Sequence, residues 1–324
     1  MVGLLFATLF WAVSFPFVQV LYVEQRALLP NASVLFLSTL LMVARFTVAW
    51  LILLPWAIFR VREFTRLEWQ QGLILALFGG VGMWLQADAL AFTKASTCAF
   101  ITQGYCVFLP LYQMCRHRRL PGIATVVSVI MVVIGMAWLS GVKVTDFGLG
   151  RGEWETLLAA LLFTAQILCL EHPRFRQNRS VPITWIMFVG ISLVSTPCAF
   201  AMASEPSQCF VAISSSAAWM IITTLAVLCS ICAFVLMNRW QACVSSVEAG
   251  LIYCAEPVFT SILALFAPAW MGLWMGHSIP NERLSMSLVG GGSLITLAIL
   301  NLQRQPVRVR TQLPKEDDVD RTIG

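Results

Sequence analysis

Long apolar runs separated by short polar segments fill almost the whole chain. An α-helix needs about 20 apolar residues to cross the hydrocarbon core of a bilayer. Ten runs of suitable length are predicted to be such helices: 2–23, 34–59, 70–91, 97–115, 122–141, 154–171, 183–203, 216–238, 247–275 and 286–303. The ninth run is too long for one span, so Pro268 is expected to break it and leave an interfacial stretch over residues 270–279. The pattern therefore predicts an all-α integral membrane protein with about ten transmembrane helices.

The composition agrees with this pattern. Hydrophobic residues make up 59% of the 324 positions and charged residues 11%, whereas a soluble domain carries roughly 25% charged residues. This deficit excludes a soluble globular domain, makes the lipid bilayer the expected surroundings and gives no indication of a nucleic-acid partner. From residue 304 onward the chain is polar and charged, so residues 304–324 are predicted to be a disordered cytoplasmic tail.

Lysine and arginine residues alternate in number from loop to loop. One set of loops, together with the tail, carries 15 of the 21, the opposite set carries 5, and Arg45 alone lies inside a predicted helix. Positively charged loops are retained in the cytoplasm. Both termini are therefore predicted to be cytoplasmic, in a multi-pass protein of the cell membrane.

Two stretches half a chain apart have related patterns. Residues 44–55 read ARFTVAWLILLP and residues 186–197 read IMFVGISLVSTP, while the fourth and ninth runs contain Pro110 and Pro257. The repeat unit is thus five helices, which predicts a first repeat at 2–141 and a second, inverted repeat at 152–303. Inverted repeats are typical of secondary transporters, whose binding site lies near the bilayer midplane. Because proline kinks a helix, Pro110 and Pro257 are predicted hinges.

Short segments in both halves resemble one family of transporters. These segments are FWA at 10–12, ARF at 44–46, ALAFTKAS at 89–96, NRW at 238–240, VSS at 244–246, AEPVF at 255–259 and NERL at 281–284. Together they resemble the EamA-type branch of the drug/metabolite transporter superfamily over about residues 4–303. The resemblance implies ten helices in two EamA-like halves and the export or exchange of a metabolite.

Two ionisable residues lie deep within predicted helices. At 1.5 Å per residue, Arg45 is about 16 Å and Glu256 about 14 Å from the start of its span, so both are expected near the midplane. A guanidinium there could hold a substrate carboxylate, and a carboxylate could bind an amine or carry a coupling proton. The alternative is a structural salt bridge or a bond between helices. The sequence leaves open whether the two residues pair with each other or contact substrate.

Further polar and aromatic residues at plausible depth are candidates for substrate binding or coupling. They are Trp11, Gln86, Asp88, Gln103 and Gln166. Each has a structural alternative, because amides also join membrane helices and Asp88 could reach water at the interface. The cysteine pair at 229 and 232 is expected to be buried and apolar rather than a redox or metal site.

The sequence contains no Walker motif, no H-E-x-x-H motif and no paired-histidine motif. An enzyme, a cofactor and a bound metal are therefore not predicted. The expected function is secondary, gradient-driven transport of a small metabolite or drug by alternating access, with a proton or another ion as a possible coupling partner. The rival is a membrane-embedded sensor or signalling partner without transport. A monomer and a homodimer are both compatible with the sequence.

Overall fold

The computed structural model describes residues 2–118, 122–140, 150–281, 283 and 286–303, so the predicted tail at 304–324 lies outside the described residues. All regular elements within these ranges are helical. The first half contains α1 Val2–Leu28, α2 Val34–Arg60, α3 Arg66–Ala89, α4 Ala95–Thr102, α5 Tyr105–His117 and α6 Ile123–Ser140. The second half contains α7 Arg151–Glu171, α8 Ser180–Met202, α9 Gln208–Val211, α10 Ser216–Ala226, α11 Ala233–Trp240, α12 Ser246–Tyr253, α13 Glu256–Ala264, α14 Ala267–Met275 and α15 Met286–Gln303.

Seven helical stretches in the described part of the chain are long and apolar enough to cross a membrane. They are Val2–Leu28, Val34–Glu63, Arg66–Ala89, Arg151–Glu171, Ser180–Met202, Ser216–Cys243 and Ser246–Ala264. The predicted all-helical, multi-pass membrane architecture is confirmed to this extent. The remaining runs, predicted at 97–115, 122–141 and 286–303, are also helical, as the interrupted pair α4 and α5 and as the shorter helices α6 and α15.

Hydroxyl side chains determine where several helices begin. Thr65 Oγ1 accepts the backbone N–H of Glu68 at 3.1 Å, and Glu68 Oε2 accepts the backbone N–H of Thr65 at 2.8 Å. Ser245 and Glu248 form the same reciprocal pair at the start of α12. The first N–H groups of a helix have no partner within the helix, and such capping boxes satisfy two of these donors.

Prolines determine where two helices end. Proline has no N–H to donate, and its ring clashes with the carbonyl four residues earlier. Accordingly, α12 ends at Tyr253, four residues before Pro257, and α13 ends at Ala264, four residues before Pro268. The predicted break near Pro268 is confirmed, but the stretch that follows it is helical as far as Met275. The break before Pro257 was not predicted.

Pairs of helices from the two halves pack together throughout the bundle. The largest contacts join α6 to α15, α3 to α7 and α8, and α2 to α8, while α1 packs against α10, α11 and α13. Large side chains in the core are fully buried, among them Phe15, Phe46, Phe188 and Tyr253. Close packing also depends on Gly72, because a Cβ there would lie 2.6 Å from Ile186 Cβ and 3.1 Å from the carbonyl oxygen of Ile183.

Ion pairs join both ends of α3 to the second half of the chain. At one end, Asp88 accepts Arg151 Nη2 at 2.6 Å. At the other, Glu68 accepts Arg179 Nε at 2.8 Å, and this hydrogen bond raises the pKa of Arg179. The side chain of Asn178 donates to Gln71 at 2.8 Å beside the second pair. These contacts hold α3 against α7 and α8 along its full length.

Substitution of Gly72 by alanine should destabilise the bundle, because the new methyl group overlaps Ile186. Overpacking of this kind costs about 1–3 kcal/mol. Gly292→Ala is the matched control, since a Cβ at this helical glycine meets only Val258, at an ordinary 3.7 Å. In thermal unfolding of the detergent-solubilised protein, the Gly72 variant should melt several degrees lower and the Gly292 variant should match the wild type. Equal melting temperatures for the three proteins would contradict this packing.

Candidate solute-binding site

A small cavity lies between helices of the two halves. Its volume is about 60 Å³, enough for about four to six water molecules at 10–15 Å³ each. Helices α1, α2, α3, α4, α5, α7, α11, α12 and α13 contribute to its wall. The polar lining residues are Ser14, Arg45, Gln86, Thr102, Gln166 and Glu256. This is a polar chamber surrounded by apolar helices.

Arg45 reaches the cavity from α2 and is held by an irregular turn in the second half. Its Nη2 donates to the carbonyl of Cys229 at 2.9 Å, and its Nε donates to Ser230 Oγ at 2.7 Å. The residue is only 5% exposed. Among the described residues, its third nitrogen, Nη1, has no hydrogen-bond partner. The guanidinium is therefore fixed at two atoms and has a donor to spare.

Glu256 enters the cavity as the first residue of α13. The break before Pro257 exposes the N-terminal N–H groups of this helix, and the positive end of a helix dipole favours a carboxylate. Glu256 Oε2 also accepts Gln103 Nε2 at 2.8 Å, and the residue is 5% exposed. The break in this span thus places an acidic side chain at the cavity wall.

Arg45 and Glu256 do not neutralise each other. Within the described residues, neither side chain forms an ion pair, so the guanidinium and the carboxylate are more than 4.0 Å apart. Both nevertheless line the same cavity. The salt bridge that the sequence allowed between them is absent from this structure, and the cavity wall carries one group of each charge.

Aromatic rings form much of the remaining wall. Trp11 contacts Tyr253 edge-on and Phe234 at a tilt, each with ring centroids 5.4 Å apart. Tyr105 meets Tyr253 at 6.3 Å with an interplanar angle of 86°. Phe163 completes the aromatic lining. Such edge-to-face pairs are stabilising beyond their buried area, and they give the cavity a rigid apolar side.

Two lining residues carry buried donors without partners. Trp11 Nε1 and Gln166 Nε2 have no hydrogen-bond partner among the described residues. Leaving a buried donor unsatisfied costs about 1–3 kcal/mol. Since both residues face the cavity, a solute or ordered water there would remove this cost.

Five of the seven residues predicted for binding or coupling line the cavity: Trp11, Arg45, Gln86, Gln166 and Glu256. Gln86 is engaged, because its Nε2 donates to Thr102 Oγ1 at 2.8 Å. Gln103 does not line the cavity, but its side chain donates a hydrogen bond to Glu256, which does. Asp88 lies elsewhere, where it accepts Arg151 at 2.6 Å and Ser38 Oγ at 3.0 Å. Its contacts correspond to a structural role at the end of α3.

The two predicted hinge prolines occupy different positions in their helices. Pro257 lies in the first turn of α13, directly after the break at residues 254 and 255. Pro110 lies inside α5, whereas the interruption of that span falls earlier, at Gln103 and Gly104. The break in the fourth span is therefore not located at its proline.

The sequence reasoning missed the aromatic wall and the residues that hold Arg45. Tyr105 and Tyr253 are tyrosines within apolar runs, and that exception to the apolar pattern could have marked them. Ser230 and Cys229 gave no comparable signal, because small residues are common throughout membrane helices.

A second depression, of about 450 Å³, lies between α3, α5 and α7 on the outer surface. Its lining is almost entirely apolar and includes the exposed residues Leu111, Tyr112 and Leu161. It has no charged group with which to select a solute, so the polar cavity is the better candidate site.

The fold and the cavity define a multi-pass helical membrane protein with an internal polar chamber. The EamA-like transporter family matches residues 1–141. This match, over 141 of the 324 residues, confirms the resemblance to that family inferred from short segments; the family is part of the drug/metabolite transporter superfamily. Members of this family are transporters.

Solved structures share the architecture. One of them, described as the crystal structure of a protein, has a TM-score of 0.62 at 17% sequence identity. The similarity covers 91% of this chain and 95% of that chain. At this identity the likeness shows the fold alone. No curated protein matches the sequence.

Asp88 should contribute more to stability than Glu155, although both accept a hydrogen bond from Arg151. The Asp88 side chain is 2% exposed and also accepts a hydrogen bond from the Ser38 hydroxyl, whereas the Glu155 side chain is 19% exposed. Asp88→Ala should cost about 1–3 kcal/mol and lower the melting temperature by several degrees, and Glu155→Ala should have a smaller effect. A loss for Glu155→Ala as large as that for Asp88→Ala would show that burial does not separate the two acids.

Proposed function

We propose that this protein is a secondary, gradient-driven transporter that exports or exchanges a small metabolite or drug by alternating access. The observation that carries this proposal is that two ionisable side chains, Arg45 and Glu256, line one cavity without pairing with each other. Ionisable groups deep in a membrane protein are costly and usually mark a substrate or ion pathway. Here Arg45 is hydrogen-bonded only to the Cys229 carbonyl and Ser230, and Glu256 only to Gln103, among the described residues.

The proposal includes ten spans arranged as two inverted repeats, at 2–141 and 152–303. The seven long stretches, together with α4 and α5, α6 and α15, make ten. The fourth and ninth spans support the repeat, because each has an eight-residue helix, a two-residue interruption and a second helix. The family match also ends at residue 141, where the first predicted repeat ends.

Contacts between equivalent positions support the same arrangement. Phe46 and Phe188, which the sequence comparison aligned, have ring centroids 5.4 Å apart. Equivalent residues meet in this way only close to a two-fold axis, as in an isologous interface. A pseudo-two-fold axis that lies in the membrane plane between α2 and α8 would relate the two halves and give them opposite topologies.

The chamber wall favours a solute that carries both charges or can hydrogen-bond to both groups. The free Nη1 of Arg45 suits a carboxylate or another anionic oxygen. Glu256 suits an ammonium group, and it could instead carry a coupling proton, with Gln103 as its partner. The aromatic side would contact the apolar part of the solute. The chamber is small, at about 60 Å³.

The interruptions in the fourth and ninth spans are the proposed hinges, with Pro257 and Pro110 beside them. At both breaks the backbone departs from α-helical geometry, because hydrogen bonds there join residues three apart, such as the Gln103 N–H to Phe100 and the Ala255 N–H to Ile252. The charge pattern of the loops supports a cell-membrane protein with both termini in the cytoplasm. Either a monomer or a homodimer would satisfy this mechanism, because the chamber lies within one chain.

Transport by the purified protein in proteoliposomes tests the proposal. Vesicles loaded with a mixed metabolite extract should release at least one solute, detected by mass spectrometry, at a rate that depends on an imposed proton or solute gradient. Arg45→Gln and Glu256→Gln should each lower that rate at least about tenfold, since a charge-assisted hydrogen bond contributes about 1.5–3 kcal/mol.

Glu171→Gln is the control, because this partly exposed acid ends α7 away from the chamber. Its transport rate should equal that of the wild type, and all three variants should melt cooperatively. A folded wild-type protein that moves no solute in either gradient would instead favour the rival, a membrane-embedded sensor without transport.

A further inference from the structure

The eighth span contains a turn that departs from α-helical geometry. Residues Val227–Cys232 form a π-helical turn between α10 and α11. In an α-helix the N–H of Ala233 would donate to the carbonyl of Cys229, but here it is directed to Leu228, five residues back. Such turns are rare and occur frequently at functional sites. This one makes the Cys229 carbonyl available to a donor from outside the helix.

The guanidinium of Arg45 supplies that donor. Its Nη2 lies 2.9 Å from the Cys229 carbonyl, and its Nε lies 2.7 Å from Ser230 Oγ. The single hydroxyl proton of Ser230 is directed to the carbonyl of Leu225, at 3.0 Å. The oxygen lone pair of Ser230 is therefore oriented towards Arg45. Cys229 and Ser230 are fully buried, and neither lines the chamber.

We propose that Ser230 is a positioning residue for Arg45, acting together with the carbonyl that the π-turn frees. A guanidinium is planar, so contacts at two of its nitrogens fix the orientation of the third. Here the contacts of Nε and Nη2 orient Nη1 towards a solute in the chamber. Nη1 is the one guanidinium nitrogen without a partner among the described residues. This inference rests on the proposed function in one respect, namely that Arg45 contacts the solute.

The arrangement also links the two halves of the chain. Arg45 belongs to α2, whereas the carbonyl and hydroxyl that hold it belong to the eighth span. If the π-turn reverted to α-helical hydrogen bonding, the Cys229 carbonyl would be taken by Ala233 and Arg45 would lose an acceptor. The position of the cationic group is therefore tied to the local conformation of a helix in the other half.

Chemical rescue tests the pocket without a known substrate. Arg45→Ala leaves a space between α2 and the π-turn, and methylguanidinium at millimolar concentration should occupy it and raise the melting temperature. The rise should exceed that of the wild-type protein under the same conditions. Arg45→Ala combined with Ser230→Ala should lose this rise, because the oriented hydroxyl is missing.

Arg45→Ala combined with Ser128→Ala is the matched control. Ser128 is also a fully buried serine of an apolar helix. Its hydroxyl, in α6, donates to the carbonyl of Ala298 in α15, and neither residue lines the pocket. This variant should keep the full rescue. The proposal would be overturned if methylguanidinium raised the melting temperature equally in Arg45→Ala with and without the Ser230 hydroxyl. It would also be overturned if the Arg45→Ala variant folded and showed no such rise.

A spectroscopic measurement covers the case in which Arg45→Ala does not fold. In protein labelled with ¹⁵N-arginine, the Nε–H of Arg45 should exchange slowly with solvent in the wild type and in Ser128→Ala, but rapidly in Ser230→Ala. Unchanged exchange in Ser230→Ala would overturn the proposal. Neither readout requires transport, so a protein that transports nothing can still show the pocket, and an active transporter can still lack it.

Discussion

Hydrocarbon offers no hydrogen-bond partners, so every polar group inside the membrane must be satisfied within the protein. Arg45 and Glu256 meet this constraint separately. A π-turn gives Arg45 a carbonyl and an oriented hydroxyl, while a helix break gives Glu256 the positive end of a short helix and the amide of Gln103. Because each charge has its own anchor, the two can face one chamber without cancelling. The proposed binding chemistry of the chamber depends on that separation.

Four of the six polar lining residues belong to the regular helices α1, α2, α3 and α7, whereas Thr102 and Glu256 belong to the interrupted spans. α3 is joined to α7 and α8 by ion pairs at both ends, so we expect these three helices to move together. The interrupted fourth and ninth spans contain backbone hydrogen bonds between residues three apart at their breaks, in place of the four-residue spacing of an α-helix. Opening of the chamber is therefore expected at the interrupted spans rather than between α3 and its neighbours.

The apolar runs predicted the helices well, because a span of hydrocarbon requires a fixed length of apolar sequence. Depth along a run predicted that Arg45 and Glu256 lie near the midplane, and both residues line one chamber. Asp88 was a weaker choice, since sequence depth does not reveal that Arg151 arrives from another helix to pair with it. The π-turn could not be predicted, because Ser230 and Cys229 differ from other small residues only through a hydrogen-bond register that tertiary packing decides. The break before Pro257 was not predicted, although proline chemistry explains it, and Pro110 shows that a proline alone does not fix where a span is interrupted.

Access to the chamber from both sides of the membrane is the central claim, and thiol labelling measures it most directly. A cysteine would replace Ser14, which lines the chamber, in a variant whose ten native cysteines are substituted. A charged, membrane-impermeant thiol reagent would then be applied to oriented vesicles, from the outside in one sample and from the inside in another. Alternating access predicts labelling from each side, with protection by a transported solute. Labelling from one side only, in a variant that still transports, would contradict it.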